Sequence, residues 1–296
     1  MKDARAMVDA FEGERRHLFS IAYRMMGSAA DAEDIVQDAF VRWHAAPRDG
    51  VLAPRAFLST IVTRLCLDAL GSARRRRETY VGPWLPEPVP TAELGPGAES
   101  DETLSLAFLL LLERLTPLER AVYLLREVFD HSHREIADIV GSSEAAARQV
   151  HHRATTHLGK DRARFESTRE EHARLLGAFL LASRTGDLEG LARLLTHDAV
   201  ALSDSGGKVS AARRPVRGAA DVAKLLVGLA RKGGSAGLGV HFVEVNGFPA
   251  VLFTAGEAGL PNGLIALDVE DGLVRAVHLV TNPDKLVRVV AAAAAA

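Results

Sequence analysis

The chain has 296 residues, 48% hydrophobic and 25% charged, a length for two or three domains and a composition that excludes disordered, collagen-like and coiled-coil classes. A formal net charge of −2 argues against a uniformly basic nucleic-acid binder, although an average hides opposed patches. Cys66 is the sole cysteine, which excludes an intrachain disulfide and a thiolate zinc cluster and leaves a small core residue.

The longest apolar run, Leu104 to Leu112, has about half the length needed to span a bilayer, so no transmembrane helix is expected. The N-terminus enters charged amphipathic sequence without the apolar core of a signal peptide, and a cytoplasmic location is expected. Charge is distributed unevenly. Residues 51–80 hold six Arg against Asp68 and Glu78, residues 81–130 hold three Arg against nine acids, and from Glu166 onward fourteen bases balance fourteen acids.

In chain order, residues 4–80 read as helix. Phe11, Leu18, Phe19, Ala22 and Met26 recur at three- and four-residue spacing, and Gly27-Ser28 supplies a stop. Asp31 begins a second amphipathic stretch through Ile35, Val36, Ala39, Phe40 and Trp43. Pro54 suits the first turn of a third helix whose apolar face is Phe57, Leu58, Ile61, Leu65 and Leu70. Five prolines between Val81 and Gly97 predict a semi-rigid extended linker. A helical block follows at 102–164: Thr116-Pro117 starts one helix, Ser132 caps His133 to Val140, Gly141 ends it, and Ser143 or Ser142 caps Glu144 to Leu158. Beyond residue 168 the pattern is mixed. Helices are expected at 169–185, 187–195 and 219–232, and strands at 199–203, 239–246, 249–255, 263–270 and 273–281. Ala291–Ala296 is low-complexity and reads as an artefact or unassigned tag.

Three constellations carry chemistry. The 117–158 unit has helix-turn-helix dimensions, with Ile136, Ala137, Ile139 and Val140 inward, and Ala145, Ala146 and Val150 packing the second helix. That helix, from Ser143, exposes Arg148, Gln149, His152 and Arg153 to phosphates and base edges; a helical hairpin with a solvated polar face accounts equally well for the spacing alone. Arg74, Arg75, Arg76 and Arg77 continue a helix that exposes Arg64, forming a phosphate-gripping stripe together with the 44–54 loop. Asp31, Glu33, Asp34, Gln37 and Asp38 form a polar, mostly acidic face: acids in a first helical turn need no functional cause, and a partner-docking surface is the sharper alternative.

These residues carry a resemblance. Asp31 to Phe40 looks like the core-polymerase-binding helix of bacterial sigma factors, Pro54 to Arg77 resembles the helix that opens the −10 element, and Leu115 to Ala154 resembles region 4, which reads the −35 element. The chain is similar to extracytoplasmic-function (ECF) sigma factors. The segment Arg77 to Pro88, containing Trp84, Leu85, Pro86, Glu87 and Pro88, resembles the linker signature of group 41, the sigma J type with a fused C-terminal SnoaL-like domain. Asn282, Pro283, Asp284, Lys285 and Leu286 resemble its C-terminal signature, and Asp204, Ser205, Gly206, Gly207 and Lys208 match its glycine-rich turn except that Ser205 stands where the family usually has Gly.

The resemblance implies a multidomain chain with two all-α sigma domains, a region 2 helical bundle and a region 4 helix-turn-helix, plus an α+β SnoaL-like (nuclear transport factor 2-like) cone-shaped domain. The expected boundaries are 1–80 for region 2, 81–101 for the linker, 102–164 for region 4, 168–290 for the SnoaL-like domain and 291–296 for the tail. The implied partners are core RNA polymerase, promoter DNA and an intramolecular contact of the C-terminal domain with the sigma domains or linker; Trp84 and Leu85 require a cover. No catalytic residue, cofactor or metal is implied. His197, Asp198, His241, Asp268 and His278 are the polar groups available to a pocket in the last domain. The competing reading is a DNA-binding small-molecule sensor, or a SnoaL-like enzyme, fused to a helix-turn-helix.

Overall fold

The computed structural model describes residues 2–46, 53–95, 97–98, 101–159, 168–235, 237–256 and 259–295. Contacts divide the chain into two compact units: Met1–Glu78 with Leu109–Asp161, and Thr79–Phe108 with Arg162–Ala296. The 44–54 loop falls largely outside the described residues.

The first unit opens with α1 (Lys2–Met26), α2 (Ala29–Ala45) and α3 (Pro54–Glu78). Gly27, at φ 66°, ends α1 and the Ser28 hydroxyl accepts from Asp31 N–H at 3.2 Å to start α2. The expected apolar positions face inward: Phe11, Leu18, Ala22, Met26, Val36 and Leu58 are fully buried, and Phe11 meets Phe40 edge-on with ring centroids 5.0 Å apart. By length and mean hydropathy α3 could cross a bilayer, a candidate that the search for an unbroken apolar run missed. Its apolar residues are instead packed against α1 and α2, the behaviour of a core helix.

After α5 (Leu106–Leu112), the same unit contains α6 (Pro117–Glu127), α7 (His133–Val140) and α8 (Glu144–Leu158). Local chemistry sets their ends. Thr116 with Glu119 and Ser132 with Glu135 form reciprocal capping boxes, Gly141 closes α7 in the left-handed region, and Ser143 rather than Ser142 caps α8. Val122, Leu125, Ile136, Ala137, Ile139, Ala147 and Val150 form the core. This corrects the inward register of α8: Ala145 is exposed and Ala146 half-buried, whereas Ala147, Val150, Ala154 and Leu158 repeat on the buried face.

The second unit is α+β. α9 (Arg169–Thr185), α10 (Leu188–Leu194) and α11 (Ala219–Ser235) accompany six strands: β1 (Leu195–Asp204), β2 (Val216–Arg217), β3 (Gly239–Val245), β4 (Phe248–Ala255), β5 (Leu260–Glu270) and β6 (Leu273–Val280). The sheet order is β2-β1-β6-β5-β4-β3. β1 runs parallel to β6, and the other pairs are antiparallel. Phe179, Leu191, Ala201, Val222, Val251 and Val277 belong to one core between the helices and the sheet. The two-residue β2 is too short for an alternation pattern and was not anticipated. The alanine-rich tail continues α12 (Val287–Ala295), which buries Val289.

The proline-rich segment is part of this unit, not a solvated spacer. Leu85 is 0% exposed, and Pro86, Glu87, Pro88, Val89 and Pro90 are all buried. α4 (Thr91–Leu94) follows, and Pro90 forms an isolated antiparallel bridge with Val245 at the end of edge strand β3. A proline-rich chain has no donors to spare for a ladder, so side chains and turns supply most of the polar contacts that hold it.

Candidate nucleic-acid interface and linker clamp

α8 presents Ser143, Arg148, Gln149, His152 and Arg153 on its exposed side, where they border an open, shallow groove with Glu144 and Ala145. Arg148 reaches Glu144 at 2.7 Å, and Arg153 lies 3.8 Å from Glu119; both arginine side chains remain more than half exposed, so these pairs can exchange for phosphate. On α2, Asp34, Gln37 and Asp38 are exposed, whereas Asp31 and Glu33 are tied into the bundle by Arg76 at 3.2 Å and Arg15 at 2.7 Å.

The basic stripe on α3 is already engaged. Arg64 donates from Nε to the Ile139 carbonyl at 2.9 Å and from Nη2 to the Asp138 carbonyl at 3.0 Å, satisfying acceptors at the C-terminal end of α7. Arg77 pairs with Glu113 and donates to the Met26 carbonyl. Glu113 is shared with Arg120 at 2.6 Å, and Arg120 donates to the Met25 carbonyl at 2.7 Å. Burial lowers the Arg77 pKa while Glu113 opposes that shift. The side chains of Arg74 and Arg75 lie outside the described residues. These carbonyl contacts across a long sequence separation have no signature in a single segment.

In the second unit three separated segments converge on Asp204, which is 0% exposed. Tyr80 Oη donates to Asp204 Oδ1 at 2.6 Å, while the Leu85 N–H and Lys285 Nζ approach Oδ2 at 2.8 and 2.7 Å. The Asp204 carbonyl accepts the Thr281 and Asn282 amides at 2.7 and 2.9 Å, and Asn282 Nδ2 donates to Tyr80 Oη at 2.9 Å. Lys285 lies 4.4 Å from the Trp84 ring centroid, a cation–π contact that supplies part of the cover this residue needs. Burial first, and the bond to Asp204 second, push the Tyr80 hydroxyl well above its ordinary pKa. Lys208 and Asp284 form an ion pair nearby.

The glycine-rich turn explains its own composition. Gly206 and Gly207 have φ of 56° and 75°, and a Cβ on Gly206 would come 2.6 Å from Asn282 Nδ2. Ser205 has ordinary negative φ and its hydroxyl accepts from Gly207 N–H at 3.3 Å. The departure at Ser205 therefore falls where a side chain fits.

A second grip was not anticipated. The β3–β4 turn, Asn246-Gly247 with φ 55° and 84°, exchanges bonds with Val89: Val89 N–H donates to Asn246 Oδ1 at 3.0 Å and Asn246 N–H to the Val89 carbonyl at 2.9 Å. Asn246 Nδ2 donates to the Leu104 carbonyl at 2.8 Å and Gly247 N–H to Thr91 Oγ1 at 3.1 Å. The Asn-Gly pair was legible as a hairpin turn, but its linker partners were not.

Of the pocket candidates, only Asp268 and His278 line the internal cavity; His197 and Asp198 are exposed, and His241 sits on edge strand β3, 3.0 Å from Thr254 Oγ1. His172, on α9, joins the lining unforeseen. Asp268 takes both Arg275 Nε and Nη2, at 3.1 and 2.7 Å. Burial holds His278 and His172 neutral, with pKa values lowered to about 4. Neither ring nitrogen of His278 has a hydrogen-bond partner, so Asp268 and His278 do not form a base–orienter pair. Among the described residues, no group of three or more His, Cys, Asp or Glu is placed to hold a metal.

A helical bundle followed by a capped helix-turn-helix with an exposed polar recognition face defines a DNA-binding transcription factor. The Sigma-70 region 2 family matches residues 10–76, and Sigma-70, region 4 matches residues 105–158. The ECF RNA polymerase sigma factor SigJ of Mycobacterium tuberculosis (strain ATCC 25618 / H37Rv) is 38% identical over 294 residues, covering 94% of this chain and 92% of that protein. The probable ECF RNA polymerase sigma factor SigI of M. tuberculosis (strain CDC 1551 / Oshkosh) is 31% identical over 281 residues, covering 94% and 93%. The crystal structure of the M. tuberculosis SigJ factor matches with a TM-score of 0.75 at 37% identity, covering 94% of this chain and 98% of that one. The chain belongs to the ECF RNA polymerase sigma factors, and its work is to direct RNA polymerase to promoters for transcription initiation.

Proposed function

We propose that the C-terminal unit regulates this sigma factor by holding the linker between its two sigma regions. The observation that carries the reading is the buried Asp204 carboxylate, which accepts from Tyr80 and Leu85 while paired with Lys285. A tethered domain works at high effective concentration, so modest contacts suffice to bias the linker. In the same reading, exposed Asp34, Gln37 and Asp38 dock on core polymerase, the outer face of α8 reads the −35 element, and Arg64 with Arg74 to Arg77 serves the −10 element. Arg64 and Arg77 are occupied by region 4 carbonyl and carboxylate groups, so promoter engagement requires that contact to open.

The test titrates core RNA polymerase against the full-length protein, Asp204→Asn and Asp38→Lys, reading affinity and salt dependence. Tighter binding by Asp204→Asn supports restraint by the clamp, and weaker binding makes the C-terminal unit an assisting element. Unchanged binding by Asp38→Lys removes the docking role from α2.

A further inference from the structure

The cavity in the second unit has a specific polar defect. His278 is 2% exposed, lies on β6 opposite Ala266, and leaves both ring nitrogens without a partner. A neutral imidazole carries one donor and one acceptor, and burying both unpaired is costly. The space beside it, about 20 Å³ open to the centre of a water-sized sphere, accommodates about one water. Across the cavity stand Ser105, Leu106 and Ala107. Ser105 Oγ accepts from Phe108 N–H at 3.1 Å at the start of α5, so the wall is chain that leads directly into region 4.

We propose that this cavity is a binding site for a small neutral organic molecule bearing a hydrogen-bond donor and acceptor on an apolar body, and that residues 105–107 move aside to admit it. The wall chemistry selects the class. Leu106, Val245 and Phe248 favour an apolar body, and His278 offers a complementary donor and acceptor. The Asp268 carboxylate, 4% exposed and already neutralised by Arg275, disfavours an anion and offers a cation no unpaired charge. Binding would compete with the Ser105–Ala107 wall and thereby loosen the segment gripped by Asn246, a consequence that rests on the linker reading above.

The test uses the full-length chain and 4-hydroxyacetophenone as the probe, with affinity read by calorimetry and the imidazole ¹⁵N resonances of His278 read by NMR. Saturation shifts both His278 nitrogens in the wild-type chain. Leu106→Ala, which enlarges the cavity, binds on the order of tenfold more tightly, and His278→Phe loses on the order of tenfold. His278→Gln, which retains a donor and an acceptor, keeps most of the affinity, separating a polar contact from general damage to the fold. Absence of a ¹⁵N shift at saturation, binding indifferent to His278→Phe, or no binding by wild type and Leu106→Ala at millimolar probe overturns the site. If the probe binds as expected but polymerase affinity does not respond to Asp204→Asn, the linker reading fails and the ligand site stands.

Discussion

Asp204 and Lys285, 81 positions apart in sequence, form an ion pair at 2.7 Å with Asp204 wholly buried and Lys285 only 12% exposed. The same carboxylate accepts the Tyr80 hydroxyl and the Leu85 amide. A buried ion pair becomes favourable only when its remaining hydrogen-bonding positions are filled. Here the linker fills them, so docking of the linker and burial of the pair are coupled.

Removing the carboxylate should therefore undock the linker and leave an unpaired buried ammonium. Asp204→Ala is expected to cost about 3–5 kcal/mol in the second unit and to expose the 79–90 segment to protease. Urea unfolding with time-resolved proteolysis checks both; a wild-type cleavage rate at 79–90 would show that the carboxylate does not hold the segment.

The two turns make opposite predictions for adjacent positions. Gly247→Ala places a Cβ against the Ala98 carbonyl at φ 84°, so it should cost roughly 1–3 kcal/mol. Ser205→Gly removes only a weak local acceptor and is expected to change stability by less than about 1 kcal/mol. Paired thermal melts of the two variants distinguish them.

Glu113 neutralises Arg77 and Arg120 together, at side-chain exposures of 14% and 4%. Glu113→Gln should destabilise the first unit by roughly 1.5–3 kcal/mol, the range for hydrogen bonds to charged groups. The same change should speed polymerase association, because the contact being weakened joins regions 2 and 4. Stopped-flow binding at fixed ionic strength reads the rate, and an unchanged rate with reduced stability would assign Glu113 to folding alone.

On α8, Arg148→Ala is expected to weaken promoter binding and reduce the salt slope by about 1 if the side chain meets one phosphate. Ser143→Ala, by contrast, removes the cap at Ala146 N–H and should cost about 1 kcal/mol of stability. Affinity measured across a salt series, beside thermal melts, separates the two effects.

Acid should weaken the second unit through its buried histidines. His172 and His278 have folded pKa values of about 4 against 6.5 unfolded, both lowered by burial. Between those values the unfolded chain binds more protons, so stability is full above pH 6.5 and falls as pH drops toward 4; each group contributes a loss of about 2 kcal/mol by pH 5. Urea midpoints at pH 7 and pH 5 should converge in His278→Gln relative to wild type. An identical pH dependence in that variant would remove His278 from the account.

The boundaries of α7, α8 and α9 were legible because the signals are local: Ser132 with Glu135, Ser143, Gly141 and Gly186 act within one turn of the residues they cap. The sigma resemblance was legible for the same reason, being carried by contiguous motifs. What the linker does was not. Its prolines and charge favour a solvated spacer, and only Asp204 and Asn246, more than a hundred residues away, convert it into buried chain. Likewise, nothing beside Arg64 announces the α7 carbonyls, and nothing on α9 marks His172 as a cavity wall. Sequence alone determined the helical regions, their caps and the promoter-recognition class, through short-range periodicity and hydrogen bonding. Tertiary structure decided which charges are free, which are engaged and what fills the last domain, because those outcomes depend on desolvation by residues distant in the chain.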